Sequence, residues 1–255
     1  MELLSYAFDS RCNFRFKKCK FRFEDLEFVF YSGNKDHCEV VQVINDERKK
    51  REQIFQIINK FLNSFSWANH CSFGYRGYCA YGLRDKIDLM KIEPRIIFPR
   101  SDRSLVVDFE TIINIPTNEL EIALSLYNEA SFTQNIFYKF FCFWKILSIR
   151  YPNRTKESAS NFINRMIQTK KVYMDKFIND LLKKQINVGK HLYDHFRCAI
   201  AHITRSPVKL SFNEDDFREV SIACHSIEHF VKYFIDKELG LPRHCDKIDI
   251  LEFLE

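Results

Sequence analysis

The stretch INIPTNE, Ile113–Glu119, separates two kinds of pattern in this chain. Before it, apolar and charged residues alternate as they do along half-buried strands. After it, apolar residues recur at helical spacing almost without interruption, and Pro116 marks the break. The division predicts an α+β N-terminal domain over residues 1–116 and an all-α helical domain over residues 117–255.

Upstream of the break, FRFKKCKFRFEDLEFVFYSG places Phe14 and Phe16, then Phe21 and Phe23, at the period of two that a strand requires. HCEVVQVI is a second strand candidate. The following segment carries Ile54, Phe55, Ile57, Ile58, Phe61, Leu62 and Phe65 as one helical stripe, for which Asn45 or Asp46 offers a cap. GYRGYCAYGLR, KIEPRIIFP and SLVVDFETII return to strand character. Downstream, helices are predicted near Glu119–Asn128, Phe132–Arg150, Lys156–Gln168, Tyr173–Gln185, Val188–Ile203 and Glu214–Glu238. Short connections between them suit a bundle. Phe132–Arg150 is apolar on nearly every side, which suits a central helix or one with a face in a subunit contact. Phe137, Phe141 and Trp144 are its candidate dimer-interface residues.

Composition bounds the class. A chain of 255 residues with 46% hydrophobic and 29% charged residues can bury one large core or two modest ones, which argues against disorder. No apolar run approaches the roughly 18–20 residues of a membrane span. The opening MELLSYAFDSRC lacks the basic start and small-residue cleavage site of a signal peptide, so a cytoplasmic location and no membrane partner are expected. Nine cysteines, an odd number with no CxxC pair, read as reduced thiols, and Cys142 and Cys224 read as core fillers. Between Lys139 and Lys209 there are 15 basic residues against four acidic ones. That local excess would suit a phosphate backbone, although solvated lysine faces give the same pattern. Lys170, Lys171, Lys183, Lys184, Lys190 and Arg205 are the candidate RNA-binding cations.

Within the basic block lies YDHFRCAIAHITRSP, Tyr193–Pro207, an apolar helical stretch carrying Asp194, His195, Arg197 and His202 just before a proline. Its segment RCAIAH, Arg197–His202, has the spacing Arg-x4-His. This resembles the HEPN superfamily (higher eukaryotes and prokaryotes nucleotide-binding), whose ribonucleases carry an Arg-x4–6-His motif near a helix end in a small helical bundle. The resemblance spans roughly residues 125–240. It implies an all-α HEPN-like bundle, metal-independent RNA cleavage leaving a 2′,3′-cyclic phosphate, and catalytic roles for Arg197 and His202. It further implies, for many bacterial members, a toxin or antiviral defence role with a regulatory or antitoxin partner. Many HEPN nucleases have a polar residue after the arginine, whereas here it is Cys198, a weak hydrogen-bond partner. More loosely, the chain resembles the methylamine-utilisation J family. There a mixed N-terminal domain whose aliphatic helix is followed by Trp, here FLNSFSW at Phe61–Trp67, precedes a helix similar to RCAIAH.

The motif has a geometric consequence. Five residues of α-helix turn about 500°, so Arg197 and His202 point about 140° apart with a rise of roughly 7.5 Å. One straight helix cannot easily aim both at one phosphate, but two helices related by a twofold axis can, which predicts a homodimer with a composite site. Arg197 would fork onto phosphate oxygens, and His202 would exchange protons with the 2′-hydroxyl or the leaving 5′-oxygen. Asp194, three residues before Arg197, is a candidate to hold the guanidinium, with Cys198 and His195 as further supporting residues. The structural alternative is a buried arginine satisfied by carbonyls and a capping histidine. The rival chemistry is a metal site. Cys198 with His202, His191 with His195, and His225 with His229 are each spaced i,i+4, but no third ligand stands at a recognisable spacing. The expectation is no metal and no cofactor, with His225 and His229 on an interface or polar helix face. A non-catalytic HEPN-like module that dimerises and binds RNA or protein is the alternative function.

Overall fold

The computed structural model describes residues 2–10, 12–33, 39–45, 49–82, 106–107, 109, 111–152, 158–201, 209, 213–241 and 246–254. Its residues form two compact units, Met1–Pro116 together with Pro242–Glu255, and Thr117–Leu241.

The first unit is built on strands β1 (Glu2–Ser10), β2 (Asn13–Phe14), β3 (Lys18–Phe23), β4 (Leu26–Tyr31) and β5 (Glu39–Asn45), then helix α1 (Arg51–Ala68) and strands β6 (Phe73–Gly82), β7 (Val106–Val107) and β8 (Thr111–Ile112). The β3–β4 hairpin turns on Glu24 and Asp25, both with positive φ, the backbone that a two-residue hairpin loop demands. Helix α1 begins at Arg51 rather than after Asn45 or Asp46. Its start is Lys50, whose backbone N–H donates to Gln53 Oε1 at 3.1 Å. Ile54, Ile58, Phe61 and Phe65 along α1 are fully buried against the sheet. Phe61 lies 4.6 Å from Phe21 and Phe65 lies 4.9 Å from Phe109, ring centre to ring centre. Each such ring removes roughly 1.5–3 kcal/mol worth of apolar surface from water. The KIEPRIIFP segment lies outside the described residues.

The chain end departs from the expected domain limits. Strands β9 (Asp246–Lys247) and β10 (Asp249–Leu254) belong to the first unit, not to the helical domain. β10 pairs antiparallel with β3, giving a six-stranded sheet of order β10-β3-β4-β5-β1-β6 whose pairings are all antiparallel. Such a pairing joins segments more than two hundred residues apart, and no local pattern announces it.

The second unit holds seven α-helical segments among the described residues: α2 (Asn118–Phe132), α3 (Ile136–Ser148), α4 (Ala159–Gln168), α5 (Lys176–Lys183), α6 (Val188–His191), α7 (Ala199–Ala201) and α8 (Glu214–Tyr233). Six start on a capping side chain. Thr117, Asn135, Ser158, Asp175, Asn187 and Asn213 each accept a bond from a backbone N–H two or three residues on. Helix α3 is central: Phe140, Cys142, Phe143, Trp144, Ile146 and Leu147 are buried as it packs on α2 and α8. No helix among the described residues is long and apolar enough to cross a membrane.

Helix α6 is seated on α4 by a contact that admits no side chain. A Cβ at Gly189 would stand 2.1 Å from the backbone oxygen of Ser160. The Gly189 N–H donates to Asn164 Oδ1 at 2.9 Å, and Asn164 Nδ2 donates to the cap residue Asn187 at 2.9 Å. Gly189→Ala must therefore push two backbones apart. It should lower unfolding free energy by about 1–3 kcal/mol, seen as a fall in the urea midpoint. An unchanged midpoint would mean that α6 is not held by this contact.

Candidate functional site

From α6 the chain enters a π-helical segment, Leu192–Cys198, before resuming α geometry in α7. Its buried residues suit that wider turn. Val188, Leu192 and Phe196 are four apart and all buried. Four residues overshoot a 3.6-residue turn by about 40°, and the wider π turn over Leu192–Cys198 offsets that drift, which keeps the three close to one line. Widened turns of this kind occur often at functional sites.

The widening also rearranges the outward residues. Asp194 and His195 are exposed, Arg197 is half-buried, and Cys198 is buried. Among the described residues Asp194 makes no ion pair with Arg197, so the expected i,i+3 support is corrected: the π turn moves position i+3 off the stripe it would share in an α-helix. Instead the guanidinium lies over the Tyr193 ring at 5.7 Å, and Tyr193 packs on Trp144 at 5.7 Å. Arg197 Nη1 also reaches Cys198 Sγ at 3.9 Å, a weak contact. His202 and Arg205 lie outside the described residues.

The other expected residues separate by burial. Lys170, Lys171, Lys183, Lys184 and Lys190 are all exposed. Lys209, by contrast, is drawn between Asp216 and Glu219 and its backbone N–H donates to the Ala199 carbonyl, so it is a structural cation. Phe137 and Trp144 are buried within the unit itself, so their apolar surface is already used there. The proposed dimer contact through these two is corrected accordingly, and Phe141 remains half-buried. The His191 and His195 rings lie 4.4 Å apart, centre to centre, tilted by 31°. The His191 pKa is held below the ordinary histidine value by burial first, then by the charge of His195 and of Lys209, while Glu219 and Asp194 oppose the shift.

A second constellation was not expected from the sequence. Asp175, His225 and His229 each present one ligand atom, all within 4.8 Å of one another. Asp175 is the cap of α5, accepting from the Ile178 N–H at 3.0 Å, and it also accepts from the buried Ser226 Oγ of α8 at 2.5 Å. His225 and His229, a turn apart on α8, have ring centres 5.0 Å apart, and Tyr173 meets His229 edge-on at 5.1 Å. Burial foremost, and then His225, keep the His229 pKa low, with Asp175 pulling the other way. The i,i+4 histidines were visible in the sequence. Asp175, fifty residues earlier, becomes their neighbour only when α5 docks on α8.

Residues 123–236 match the family model described as methylamine utilization protein MauJ. The matched span is less than half of the chain, and it includes both the π segment and the Asp175–His225–His229 group. No curated protein and no solved structure matches the chain.

The lowered His191 pKa sets a direction for stability against pH. On acidification the unfolded chain takes up this proton before the folded one. The contribution is therefore whole above the ordinary histidine range and is lost as pH falls through it. The urea midpoint should drop between about pH 7.5 and pH 5.5, and His191→Gln should flatten that drop. An equal slope in the variant would show that His191 does not carry it.

Proposed function

We propose that the helical unit is a metal-independent endoribonuclease that acts as a homodimer, with Arg197 and His202 as catalytic residues. The observation that carries this reading is the π-helical turn that sets Arg197, half-exposed, on an aromatic base made by Tyr193 and Trp144. A guanidinium resting over a ring loses less freedom when it forks onto a phosphate than a free one would, which favours stabilisation of developing charge. His202 follows at a spacing that suits a second protomer's arginine better than its own. In the reaction His202 accepts the 2′-hydroxyl proton, the 2′-oxygen attacks phosphorus, and the 5′-oxygen leaves with a proton from the partner's histidine. The exposed lysines 170, 171, 183, 184 and 190 supply the sequence-independent attraction for RNA. A toxin or antiviral defence effector, restrained by a regulatory or antitoxin partner, would use such an activity.

A second reading is a non-catalytic module that binds RNA or protein. One observation favours it: the residue after Arg197 is a buried cysteine, which supports the guanidinium only weakly.

Arg197→Ala and His202→Ala should each lower RNA cleavage by on the order of 10²–10⁴-fold, with unfolding midpoints near wild type. Cleavage should persist in EDTA. Mixing Arg197→Ala protomers with wild type should reduce activity further than dilution alone. Full activity in either variant would remove the assignment, and loss of cleavage in EDTA would favour a metal mechanism. Binding without cleavage by the wild type would leave the second reading standing.

The lysines give a separate test. Charge reversal at Lys170, Lys171, Lys183 and Lys184 together should weaken RNA binding and reduce its salt dependence while leaving single-turnover cleavage of bound RNA intact. An affinity indifferent to salt would show that these lysines are only a solvated face.

A further inference from the structure

We propose that Asp175, His225 and His229 form a binding site for a divalent transition-metal ion of the zinc class, which pins the start of α5 to α8. Two imidazoles and a carboxylate are the donor set of many three-residue zinc sites, in which the fourth position is left to water. This arrangement supplies all three. The ligand atoms lie within 4.8 Å of one another, against on the order of 3.4 Å for donors around a tetrahedral ion with bonds of about 2.0–2.1 Å. His225 is exposed, and rotation of its imidazole supplies the adjustment.

Three further features distinguish the group from a chance pair of surface histidines. The carboxylate is held by a second set of partners, since Asp175 caps α5 and accepts from Ser226 Oγ. A carboxylate offers about four acceptor positions, so two remain for an ion while these bonds persist. Each imidazole offers one nitrogen to the group, and His229 has a buried Nε2 that no described group engages. A buried ring nitrogen without a partner is uncommon, and a cation or its bound water would satisfy it. Finally, the ligands come from two helices that are otherwise joined at this end by the Ser226–Asp175 bond, so an ion adds a cross-link between elements far apart in sequence.

The site is separate from Arg197 and His202, and its test does not depend on RNA cleavage. Full-length protein, stripped with chelator and dialysed, would be titrated with Zn²⁺ alone by calorimetry, and with Co²⁺ alone for the visible bands of a tetrahedral nitrogen–oxygen site. One Zn²⁺ per chain is expected, with a rise of several degrees in thermal midpoint on loading. His225→Ala and His229→Ala should each weaken Zn²⁺ binding at least about 100-fold. Asp175→Ser is the matching variant: where asparagine would leave an amide oxygen beside the ion, serine keeps the cap and removes the carboxylate. It should lose affinity comparably while keeping the wild-type helical spectrum. Absence of stoichiometric Zn²⁺ binding by the wild type would overturn the proposal. So would affinity unchanged in the His225→Ala, His229→Ala double variant, or Co²⁺ bands of thiolate ligation that the variants leave in place.

Discussion

The approach of Gly189 to the Ser160 carbonyl is the contact from which the helical unit's functional geometry follows. With no Cβ to keep it away, α6 lies directly on α4, and Asn164 bonds both the Gly189 N–H and the α6 cap. That seat fixes the starting rotation of the helix. Val188, Leu192 and Phe196 then follow one another into the core along a backbone that widens to the π form over Leu192–Cys198. Arg197 lies near the end of that widened stretch, over the Tyr193 ring.

The same logic explains what could be read from the sequence. Helix positions followed from apolar periodicity, but several starts were placed three or four residues early, because the caps Asn135, Ser158 and Asp175 that set them were not read. The change of pattern at Pro116 coincides with the limit between the units. The return of β10 to β3 was not legible, because strand pairing across the whole chain leaves no local mark. Nor was the π segment, since spacing arguments assume 3.6 residues per turn, and that assumption misplaced Asp194 relative to Arg197. Trp144 was named a candidate interface residue because a helix apolar all round suits either a central place or a subunit contact. The structure spends that surface on Phe140 and Tyr193. Asp175 escaped notice because nothing in its own stretch of sequence points to α8, which it meets only through tertiary contact.

Two chemistries therefore stand apart in one helical unit. Beside Arg197 the exposed groups are Asp194 and His195, Lys209 is held by Asp216 and Glu219, and the unit also exposes Lys170, Lys171, Lys183, Lys184 and Lys190. That suits an anionic polymer held by many weak contacts. Around Asp175 the groups are two imidazoles and a carboxylate, few and mutually close, which suits one small cation. Neither arrangement requires the other, and the two proposals are tested with different ligands.

The central claim, that Arg197 and His202 cut RNA through its own 2′-hydroxyl, is tested most directly by the ends that cleavage leaves. Purified full-length protein in chelator would be incubated with single-stranded RNA and with the same strand carrying 2′-deoxynucleotides, and the product termini mapped. The account predicts 2′,3′-cyclic phosphate and 5′-hydroxyl ends from the RNA and no cleavage at deoxy positions. Products ending in 3′-hydroxyl and 5′-phosphate, formed equally at deoxy positions, would contradict it.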